Sequence, residues 1–425
     1  MKGDDYMWVS IAIFLITYIF IVWDRFDRAV VALAGAALMI FFKVLNQEDA
    51  FSEIDFNTLG LLIGMMIIVF ITKRSGVFEY LAVKMVKAAK ADPLRIIVVM
   101  SISTGILSAL LDNVTVILVM LPITLSVARD LKMSPAPFAI SQVFASNVGG
   151  TATLIGDPPN SLLGSGAGLS FMDFIKNDGV ITIPILFLTT FIFALLYRRK
   201  LKASSDVKEA ILKLDEKGLV KDKKLLRKSV FVIILVITGF LFQGALHFEA
   251  ATVAIGGAIL LLLISGLKVE KILREVEWKT ILFFGGLFIL VGGIKETGVI
   301  KLLAEKVFDL THGNIALATL AILWISAIIS AFVDNIPFVT TMIPLIKNIA
   351  IISGMNVTPL WWALSLGACL GGNGTIIGAS ANVIAVGMAE ENGCKITFMN
   401  YFKTAFPIML LTIAIATVYL YIVYL

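Results

Sequence analysis

Long runs of apolar residues separated by short polar segments form the main pattern of this chain. The central parts of these runs are roughly 16 to 20 residues long, which is the length at which a helix crosses the hydrocarbon layer of a membrane. Strict alternation of apolar and polar residues does not occur, so helices are predicted rather than the strands of a barrel. The predicted crossings are 7–23, 29–45, 58–72, 137–172 and 180–197 in the first half, and 229–246, 251–267, 280–294, 359–388 and 401–421 in the second.

Two further apolar segments, 94–128 and 316–350, each contain an Asp-Asn pair near the middle. We predict that each is a re-entrant hairpin, with two short helical arms that meet at a polar tip. Polar backbone is tolerated at membrane depth only where it is buried in protein or lines a water-filled cavity. Each tip is therefore expected to lie inside the protein, next to such a cavity.

The two halves of the chain repeat each other at a constant spacing of 222 residues, as from Ser108 to Ser330. SALLDN at 108–113 returns as SAFVDN at 330–335, and GGTATLIG at 149–156 returns as GGNGTIIG at 371–378. Each repeat contains five predicted crossings, and an odd number turns the second repeat upside down. Inverted repeats with interrupted helices are typical of secondary transporters. We predict an all-α integral membrane protein with about ten transmembrane helices, two re-entrant hairpins and two broken helices.

Charges in the loops predict how the repeats are oriented. The segment 198–228 carries 12 Lys and Arg residues against 5 Asp and Glu residues, and positive charge concentrates on the cytoplasmic side of a membrane. The predicted parts are repeat 1 at 1–198, a cytoplasmic basic linker at 199–228 and repeat 2 at 229–425. Counting crossings from the linker places the loops 24–25 and 268–279 in the cytoplasm. The acidic turn 48–55 and the C-terminus then lie outside, with the protein in the cell inner membrane.

Composition narrows the class of protein further. Hydrophobic residues make up 59% of the chain and charged residues 15%, against about 25% charged residues in soluble domains. The net charge of +5 comes from the loops, so it indicates membrane orientation rather than nucleic-acid binding. The two cysteines provide neither a disulfide framework nor a CxxC motif. The sequence also lacks a GxxxxGK(S/T) motif for ATP and a set of catalytic side chains, so we expect a transporter and no enzyme; an ATPase partner stays open.

The Asp at each hairpin tip is the first candidate for function. A charged Asp at the bilayer centre costs at least about 2.5–3.5 kcal/mol, so such residues usually mark ion or proton pathways. Burial disfavours the charged carboxylate and a bound cation favours it. Asp112 and Asp334 are therefore the predicted proton-coupling residues, each able to hold a proton in one state and a cation such as Na⁺ in another. The alternative is that each Asp caps the second arm of its hairpin, and the two roles are compatible.

The broken helices complete the predicted site. Gly-Gly and Pro-Pro pairs exclude a continuous helix in 137–172, and carbonyls freed by unwinding can coordinate a hard cation. The second copy has Ala-Ser-Ala in place of Asp-Pro-Pro, so its part of the site is expected to be less charged. The predicted binding residues are Asp112, Asn113, Thr115, Gly149, Gly150, Thr151, Thr153, Gly156, Asp157 and Asn160 in repeat 1, and Asp334, Asn335, Gly371, Gly372, Asn373, Thr375, Gly378, Ser380 and Asn382 in repeat 2.

Two motifs resemble a known group of transporters. LDNVT at 111–115 followed by Leu121-Pro122, and NVGGTATLIGDPPN at 147–160, are similar to the ion transporter superfamily. Within it they are similar to the ArsB/NhaD-type permeases, a group with arsenite permeases, sodium/proton antiporters and the melanosomal P protein. The resemblance implies a homodimer whose mobile transport domain moves as an elevator against a fixed scaffold. It also implies that Asn113 and Asn335, with nearby backbone carbonyls, hold Na⁺ where Na⁺ is the coupling ion.

These observations predict a secondary active transporter that works by alternating access, with one composite site for a small inorganic ion near the bilayer midplane. The leading interpretation is proton-coupled efflux of arsenite or antimonite, because the resemblance points there and because neither motif contains a Lys or Arg for an organic anion. The groups expected to bind the neutral hydroxide are Asn113, Thr115, Asn335 and Ser380. The alternatives are Na⁺/H⁺ antiport, Na⁺-coupled anion symport and, from another class, a passive channel. No cofactor is expected beyond H⁺ or Na⁺ as the coupling ion.

Overall fold

The computed structural model describes residues 2–23, 25–199, 201, 217–246 and 248–425, and all regular structure in these ranges is helical. The predicted linker 199–228 lies largely outside the described residues. The helices of repeat 1 are α1 (Lys2–Trp23), α2 (Arg28–Phe41), α3 (Gln47–Ser52), α4 (Phe56–Lys73), α5 (Val77–Ala88), α6 (Pro93–Leu110), α7 (Asn113–Asp130), α8 (Ala136–Thr151), α9 (Pro158–Ala167) and α10 (Phe171–Tyr197).

Repeat 2 reproduces this order, so that each helix corresponds to the one numbered ten lower. Its helices are α11 (Lys223–Leu246), α12 (Ala250–Ser265), α13 (Val269–Leu273), α14 (Trp278–Glu296), α15 (Val299–Leu310), α16 (Ile315–Phe332), α17 (Asn335–Ser353), α18 (Thr358–Gly371), α19 (Ser380–Glu391) and α20 (Phe398–Tyr424). Within the described residues, 10 helices are long and apolar enough to cross a membrane, and α2 and α12 are shorter apolar helices. The predicted all-α membrane fold is confirmed.

The two repeats pack against each other reciprocally. Helix α2 lies against α14, and its counterpart α12 lies against α4. In the same way α7 packs on α19, and α17 packs on α9. Exchanging the repeats reproduces both pairs of contacts, as a two-fold relation between the repeats requires.

Ion pairs at the helix ends follow the same exchange. The Lys295 ammonium lies 2.7 Å from the Glu53 carboxylate. On the other side, the Arg74 guanidinium lies 3.2 Å from the carboxylate of Glu275, the counterpart of Glu53. Arg74 directly follows Lys73, which is the counterpart of Lys295. Each pair joins one repeat to the other. The structure therefore repeats not only the helices but also this charged contact between them.

The centre of the molecule is formed by α8 and α18, the first halves of the broken helices. Every residue from Pro137 to Thr151 is buried, and so is every residue from Pro359 to Gly371. A helix buried on all sides belongs to the core of a large protein. By contrast, α1, α10, α11 and α20 expose many large apolar side chains, as helices that face lipid do.

The hairpins are present, but the prediction of short arms is wrong. Helices α6, α7 and α16 each have 18 residues and α17 has 19, so an arm is about 27 Å long at 1.5 Å per residue. The first arm of hairpin 1 begins early because the Asp92 side chain caps it and Pro93 occupies its first turn. Each arm is thus as long as a membrane crossing.

Three predicted boundaries also require correction. The first broken helix ends at Ala167 because Gly168 adopts a left-handed conformation with φ +69°, and Met172 belongs to α10. Helix α10 is therefore a single 27-residue helix with one π-turn at Ile175–Gly179, and it begins well before the predicted residue 180. Helix α11 begins at Lys223, so the last residues assigned to the basic linker are helical.

Candidate functional site

A cavity of about 560 Å³ lies where the hairpin tips meet the broken helices. We call it the main cavity. Predicted site residues that line it are Asp112, Asn113, Asp157, Asp334, Asn335 and Ser380. Residues at the starts of α2 and α14 also line it: Arg25 and Asp27 before α2, Glu277 before α14 and Lys279 in the first turn of α14. The fold thus brings acidic side chains from both repeats to one space.

The hairpin carboxylates cap helices, as the alternative interpretation expected. The Asp112 carboxylate accepts hydrogen bonds from the backbone N–H of Val114 at 2.9 Å and of Thr115 at 3.2 Å, and from the Thr115 hydroxyl. The Asp334 carboxylate accepts from the Ile336 N–H at 3.1 Å. Because both carboxylates also line the main cavity, capping and contact with a ligand coexist at each tip.

Asp334 has a cationic partner that the motifs did not reveal. Arg28 Nη1 lies 3.0 Å from Asp334 Oδ2, and the Ser380 hydroxyl donates to the same oxygen at 3.0 Å. Arg28 is the first residue of α2, far from either motif in sequence. Neither motif contains a Lys or Arg, but this residue from outside the motifs brings a positive charge to hairpin 2. The only signal in the sequence was an Arg at the start of an apolar helix.

Asp157 occupies the unwound segment between α8 and α9, with its side chain 1% exposed. Asn335 Nδ2 donates to Asp157 Oδ2 at 3.5 Å, so hairpin 2 contacts the broken helix of repeat 1. Asp112 and Asp334 line the same cavity as Asp157. In the described part of the chain, neither Asp112 nor Asp157 has a Lys or Arg within ion-pair distance.

Across the described residues, no three Asp, Glu, His or Cys side chains lie close enough together to hold one metal ion. This arrangement does not suit a tightly chelated divalent metal, which needs several oxygen ligands at once. It suits protons, or a monovalent cation that also uses amide and carbonyl oxygens.

Asparagine side chains hold the two unwound segments in place. Asn160 Nδ2 donates to the Thr151 and Thr153 carbonyls at 3.0 Å. Its counterpart Asn382 donates to the Gly372 and Thr375 carbonyls at 2.8 Å. These bonds satisfy carbonyls that the interrupted helices leave free, so both predicted Asn residues shape the site without lining the main cavity.

A chain of amides connects the repeats behind the main cavity. Asn113 Nδ2 donates to Asn147 Oδ1 at 3.1 Å, and Asn147 Nδ2 lies within 3.1 Å of Asn373 Oδ1 and 2.9 Å of Asn382 Oδ1. The Asn113 amide oxygen is buried and has no hydrogen-bond partner among the described residues. A buried acceptor without a donor fits a bound cation, so Asn113 suits the Na⁺ role that the resemblance implies. Asn335 has a different setting, because its amide donates to Asp157.

The remaining predicted residues lie in the buried layer that supports the main cavity. Thr153 donates to the Ala109 carbonyl, and its counterpart Thr375 donates to the Ala331 carbonyl, so each unwound segment is tied to the first arm of its hairpin. Predicted residues that do not line the main cavity are Thr115, Gly149, Gly150, Thr151, Thr153, Gly156, Asn160, Gly371, Gly372, Asn373, Thr375, Gly378 and Asn382. Most of the predicted site thus shapes the backbone around the carboxylates.

Asp178 is a buried carboxylate that sequence reasoning missed. It lies in the π-turn of α10 with no exposed surface, and it accepts a hydrogen bond from the Ser365 hydroxyl. That hydroxyl also lies 2.8 Å from Asn160 Oδ1, which the Cys369 thiol contacts at 3.3 Å. Asp178 therefore connects to the support of the first unwound segment. Its signal was lost because α10 was predicted to begin after it.

The mouth of the main cavity carries charges of both signs. Lys279 Nζ lies 2.9 Å from Asp27 Oδ2, and this hydrogen bond holds the pKa of the Asp27 carboxyl below its usual range. Glu277, just before α14, behaves in the opposite way. Burial raises the pKa of the Glu277 carboxyl, and the negative charge of Asp112 raises it further.

A second cavity of about 420 Å³ lies at positions related to the main cavity by the repeat. We call it the counterpart cavity. Asn57, Thr58, Glu249 and Ala250 line it, in the places that Lys279, Thr280, Asp27 and Arg28 occupy in the main cavity. Among the described residues that line it there is no hairpin-tip residue and no Asp157. Only one of two related cavities therefore reaches the carboxylates.

This chain is similar to several membrane transport proteins. Residues 18–367 match the CitMHS family, described as citrate transporter. The chain is 40% identical over 422 residues to the "Uncharacterized transporter Rv2684" of Mycobacterium tuberculosis, covering 98% of both chains. It is 31% identical to the P protein of Homo sapiens, over 97% of this chain and 59% of that one. The YdaH transporter of Alcanivorax borkumensis shares the fold, with a TM-score of 0.62 over 99% of this chain and 97% of that chain, at 13% identity.

Proposed function

We propose that this chain, which belongs to the citrate transporter family CitMHS, is a secondary active transporter. We propose further that it exchanges protons for a small cation such as Na⁺. That it is a multi-pass membrane transporter follows from the family and from its apolar helices. The cation, the proton coupling and alternating access are the proposed part. A place within the ArsB/NhaD subgroup stays a prediction from the motifs.

One observation carries the proposal. Two cavities related by the repeat approach the centre of the protein, and only the main cavity reaches Asp112, Asp157 and Asp334. Alternating access requires a site that opens to one side at a time, and inverted repeats provide it by exchanging their conformations. An open pore would connect both cavities to the same residues. The unequal cavities therefore support a transporter over a passive channel.

The charges of the main cavity support a cation as the exchanged ion. Asp112 and Asp157 have no Lys or Arg partner among the described residues, and an opposite charge is what stabilises a buried carboxylate. A proton or Na⁺ would provide that stabilisation in turn. Exchange follows because one carboxylate cannot hold both ions at once.

Proton-coupled efflux of arsenite or antimonite is the second candidate. The buried Asn113 oxygen without a donor favours it, because an arsenite hydroxyl could donate there. Three other groups expected to bind the neutral hydroxide are already engaged: Thr115 donates to Asp112, Ser380 to Asp334 and Asn335 to Asp157. The engagement of these groups with carboxylates makes the cation the leading candidate.

The proposal extends to orientation and assembly. Arg25, Asp27 and Lys279 line the mouth of the main cavity, and the loops that contain them are predicted to be cytoplasmic. We therefore propose that this conformation is open to the cytoplasm, with the C-terminus outside. Location in the cell inner membrane, a homodimer and an elevator movement belong to the same proposal and rest on the loop charges and on the resemblance.

The test is flux into proteoliposomes under imposed gradients. We expect Na⁺ to accumulate against its concentration gradient when the vesicle interior is acidic, and to stop when a protonophore removes the pH gradient. Parallel vesicles receive arsenite or citrate in place of Na⁺. The matched controls are empty liposomes and the Arg74→Ala variant, because Arg74 pairs with Glu275 away from the main cavity.

Each outcome decides between the candidates. Uphill arsenite movement without Na⁺/H⁺ exchange would replace the first candidate with the second. Uphill citrate movement driven by Na⁺ would replace both with anion symport. Flux that follows its own gradient whatever the pH and Na⁺ gradients would indicate a channel and contradict alternating access.

A further inference from the structure

Two polar side chains of repeat 1 hold the tip region of hairpin 2. Arg28 forms the ion pair with Asp334 at 3.0 Å. The Tyr18 hydroxyl of α1 donates to the Pro337 carbonyl at 2.8 Å and lies 2.8 Å from the Thr341 hydroxyl. Helices α1 and α2 pack along each other and along α14. These contacts therefore connect one group of packed helices to a hairpin tip that lines the main cavity.

The equivalent contacts cannot form on hairpin 1. The residues 222 positions after Tyr18 and Arg28 are Phe240 and Ala250, which carry neither a hydroxyl nor a charge. The counterpart of Asp334 is Asp112, which also caps its own helix but has no Lys or Arg within ion-pair distance among the described residues. The repeat is thus broken at the residue that neutralises a hairpin carboxylate.

Exchange of the repeat conformations predicts the contacts of the opposite state. Hairpin 1 would then lie against Phe240 and Ala250, and hairpin 2 would lie away from Tyr18 and Arg28. Asp334 would lose its cation while it remains within the protein, where its side chain is 4% exposed in the present state. A buried carboxylate without a partner takes up a proton or a cation.

We propose that Arg28 is a tethered counter-ion that enforces coupling at Asp334, an inference that rests on the proposed cation exchange. In the state with the main cavity open, the Arg28 guanidinium occupies Asp334 and displaces the transported cation or proton. In the opposite state Arg28 no longer contacts Asp334. Hairpin 2 then moves between the two states only while Asp334 holds a proton or a cation. Charge balance at Asp334 then links the direction of movement to release and binding of that ion.

The test compares Na⁺ binding and Na⁺/H⁺ exchange in three single variants. Arg28→Gln removes the charge and keeps much of the side-chain length, Arg28→Lys keeps the charge, and Arg74→Ala removes an Arg from an ion pair between the repeats away from the main cavity. Loss of a neighbouring positive charge should raise the Na⁺ affinity of Arg28→Gln about tenfold or more. Its turnover should fall because release becomes slow. Arg28→Lys should stay near the wild type in affinity.

Binding is measured on purified protein by calorimetry at fixed pH, and exchange is measured in proteoliposomes. Adding Asp334→Asn to Arg28→Gln should remove the gain in Na⁺ affinity. This double variant leaves neither charge of the pair unpaired, so it remains measurable if the single variant folds poorly. Unchanged Na⁺ affinity in Arg28→Gln, with wild-type turnover, would overturn the counter-ion role. Reduced citrate binding with unchanged Na⁺ affinity would also overturn it, by making Arg28 an anion ligand.

The two proposals fail in distinguishable ways. If the wild type exchanges Na⁺ for H⁺ and Arg28→Gln matches Arg74→Ala in every measurement, the proposed function stands and the role of Arg28 is wrong. If the wild type shows no coupled exchange while Arg28→Gln gains Na⁺ affinity through Asp334, Arg28 is a counter-ion and the proposed function is wrong.

Discussion

The two mouths of the protein occupy equivalent positions, yet they differ in charge. At the main cavity Asp27 pairs with Lys279 at 2.9 Å. At the counterpart cavity the same two positions hold Glu249 and Asn57, which share a neutral-to-charged hydrogen bond of 3.0 Å. The contact between the repeats and its acidic member are present at both mouths, but the cation is present only at the main cavity. The difference gives an inverted pair of repeats two unlike ends, as a transporter with a direction needs.

The two unwound segments differ in the same way. Asp157 and Ala379 are equivalent, and both have extended backbone, with φ −142° and φ −150°. The asparagine clamps Asn160 and Asn382 are retained in both repeats. The backbone of the site is therefore symmetric, while one carboxylate belongs to repeat 1 alone. The two unwound segments thus differ in a few side chains, while these backbone features are shared.

The largest effect should come from Asp112, the hairpin carboxylate that has no cationic partner among the residues described in the structure. Asp112→Asn keeps an acceptor for the Val114 and Thr115 N–H groups, so the helix cap and the yield of folded protein should be retained. Coupled exchange should fall about a hundredfold or more, which corresponds to ~2.7 kcal/mol.

The comparison variant for Asp112 is Asp334→Asn, measured in the same proteoliposome assay. Asp334→Asn should impair exchange less completely, because Arg28 already neutralises Asp334 in this state. Normal coupled exchange by Asp112→Asn would reduce Asp112 to a helix cap. An effect of Asp334→Asn on stability alone would show that only hairpin 1 carries an ion.

The next effect concerns Gly149 and Gly371, which allow close packing against the hairpin arms. A Cβ at Gly149 would lie 2.0 Å from the Gly105 carbonyl oxygen, and a Cβ at Gly371 would lie 2.5 Å from Ala327 Cα. Backbone atoms cannot move aside easily, so each change to Ala should cost about 1–3 kcal/mol of folding free energy. Gly149→Ala should be the more destabilising.

The measurement for these glycines is the melting temperature of purified protein in detergent. Gly256→Ala is the matched control, because nothing lies within 4 Å of a Cβ at that helical position. Equal melting temperatures for Gly149→Ala and Gly256→Ala would show that the backbone of α6 and α8 is free to separate. A larger loss for Gly371→Ala would reverse the predicted order of the repeats.

A smaller effect should follow from giving repeat 2 the carboxylate that it lacks. Ala379 lines the main cavity, so Ala379→Asp adds negative charge near Asp334. The apparent affinity for Na⁺ should rise severalfold because another carboxylate favours a bound cation. Concentration-dependent exchange is the measurement, and Ala379→Ser controls for the added volume. Equal affinity in the Asp and Ser variants would separate this position from the ion site.

The sequence predicted the elements of the site better than their partners. Hairpin tips, broken helices and the repeat are visible because each depends on local residue types: Asp-Asn in an apolar run, Gly-Gly and Pro-Pro in a helix. The fold class is confirmed, and six predicted site residues line the main cavity: Asp112, Asn113, Asp157, Asp334, Asn335 and Ser380. These features follow from short segments whose chemistry is unusual for a membrane.

What the sequence could not give depends on contacts between distant segments. Arg28 meets Asp334 only because the fold brings the start of α2 and the tip of hairpin 2 together at the main cavity. Asp178 was hidden for another reason, since a π-turn lets α10 continue through Ile175–Gly179 instead of starting after it. The bounds of hairpin 1 were predicted closely, as 94–128 against 93–130 in the structure.

The smallest effect should come from the ion pair at the mouth of the main cavity. Asp27→Asn removes the charge opposite Lys279, whose side chain is 85% exposed, so solvent screens most of the interaction. The lowered pKa of Asp27 means that its contribution to stability is present above the usual Asp pKa of about 3.9. The contribution is lost as the pH falls through the lowered value. The difference in melting temperature between wild type and Asp27→Asn should therefore be small at pH 7 and vanish in acid or high salt.

Glu249→Gln is the comparison at the other mouth, where the partner is the neutral Asn57, and its effect should not depend on salt. Equal salt dependence at both mouths would show that the two ends are electrostatically alike.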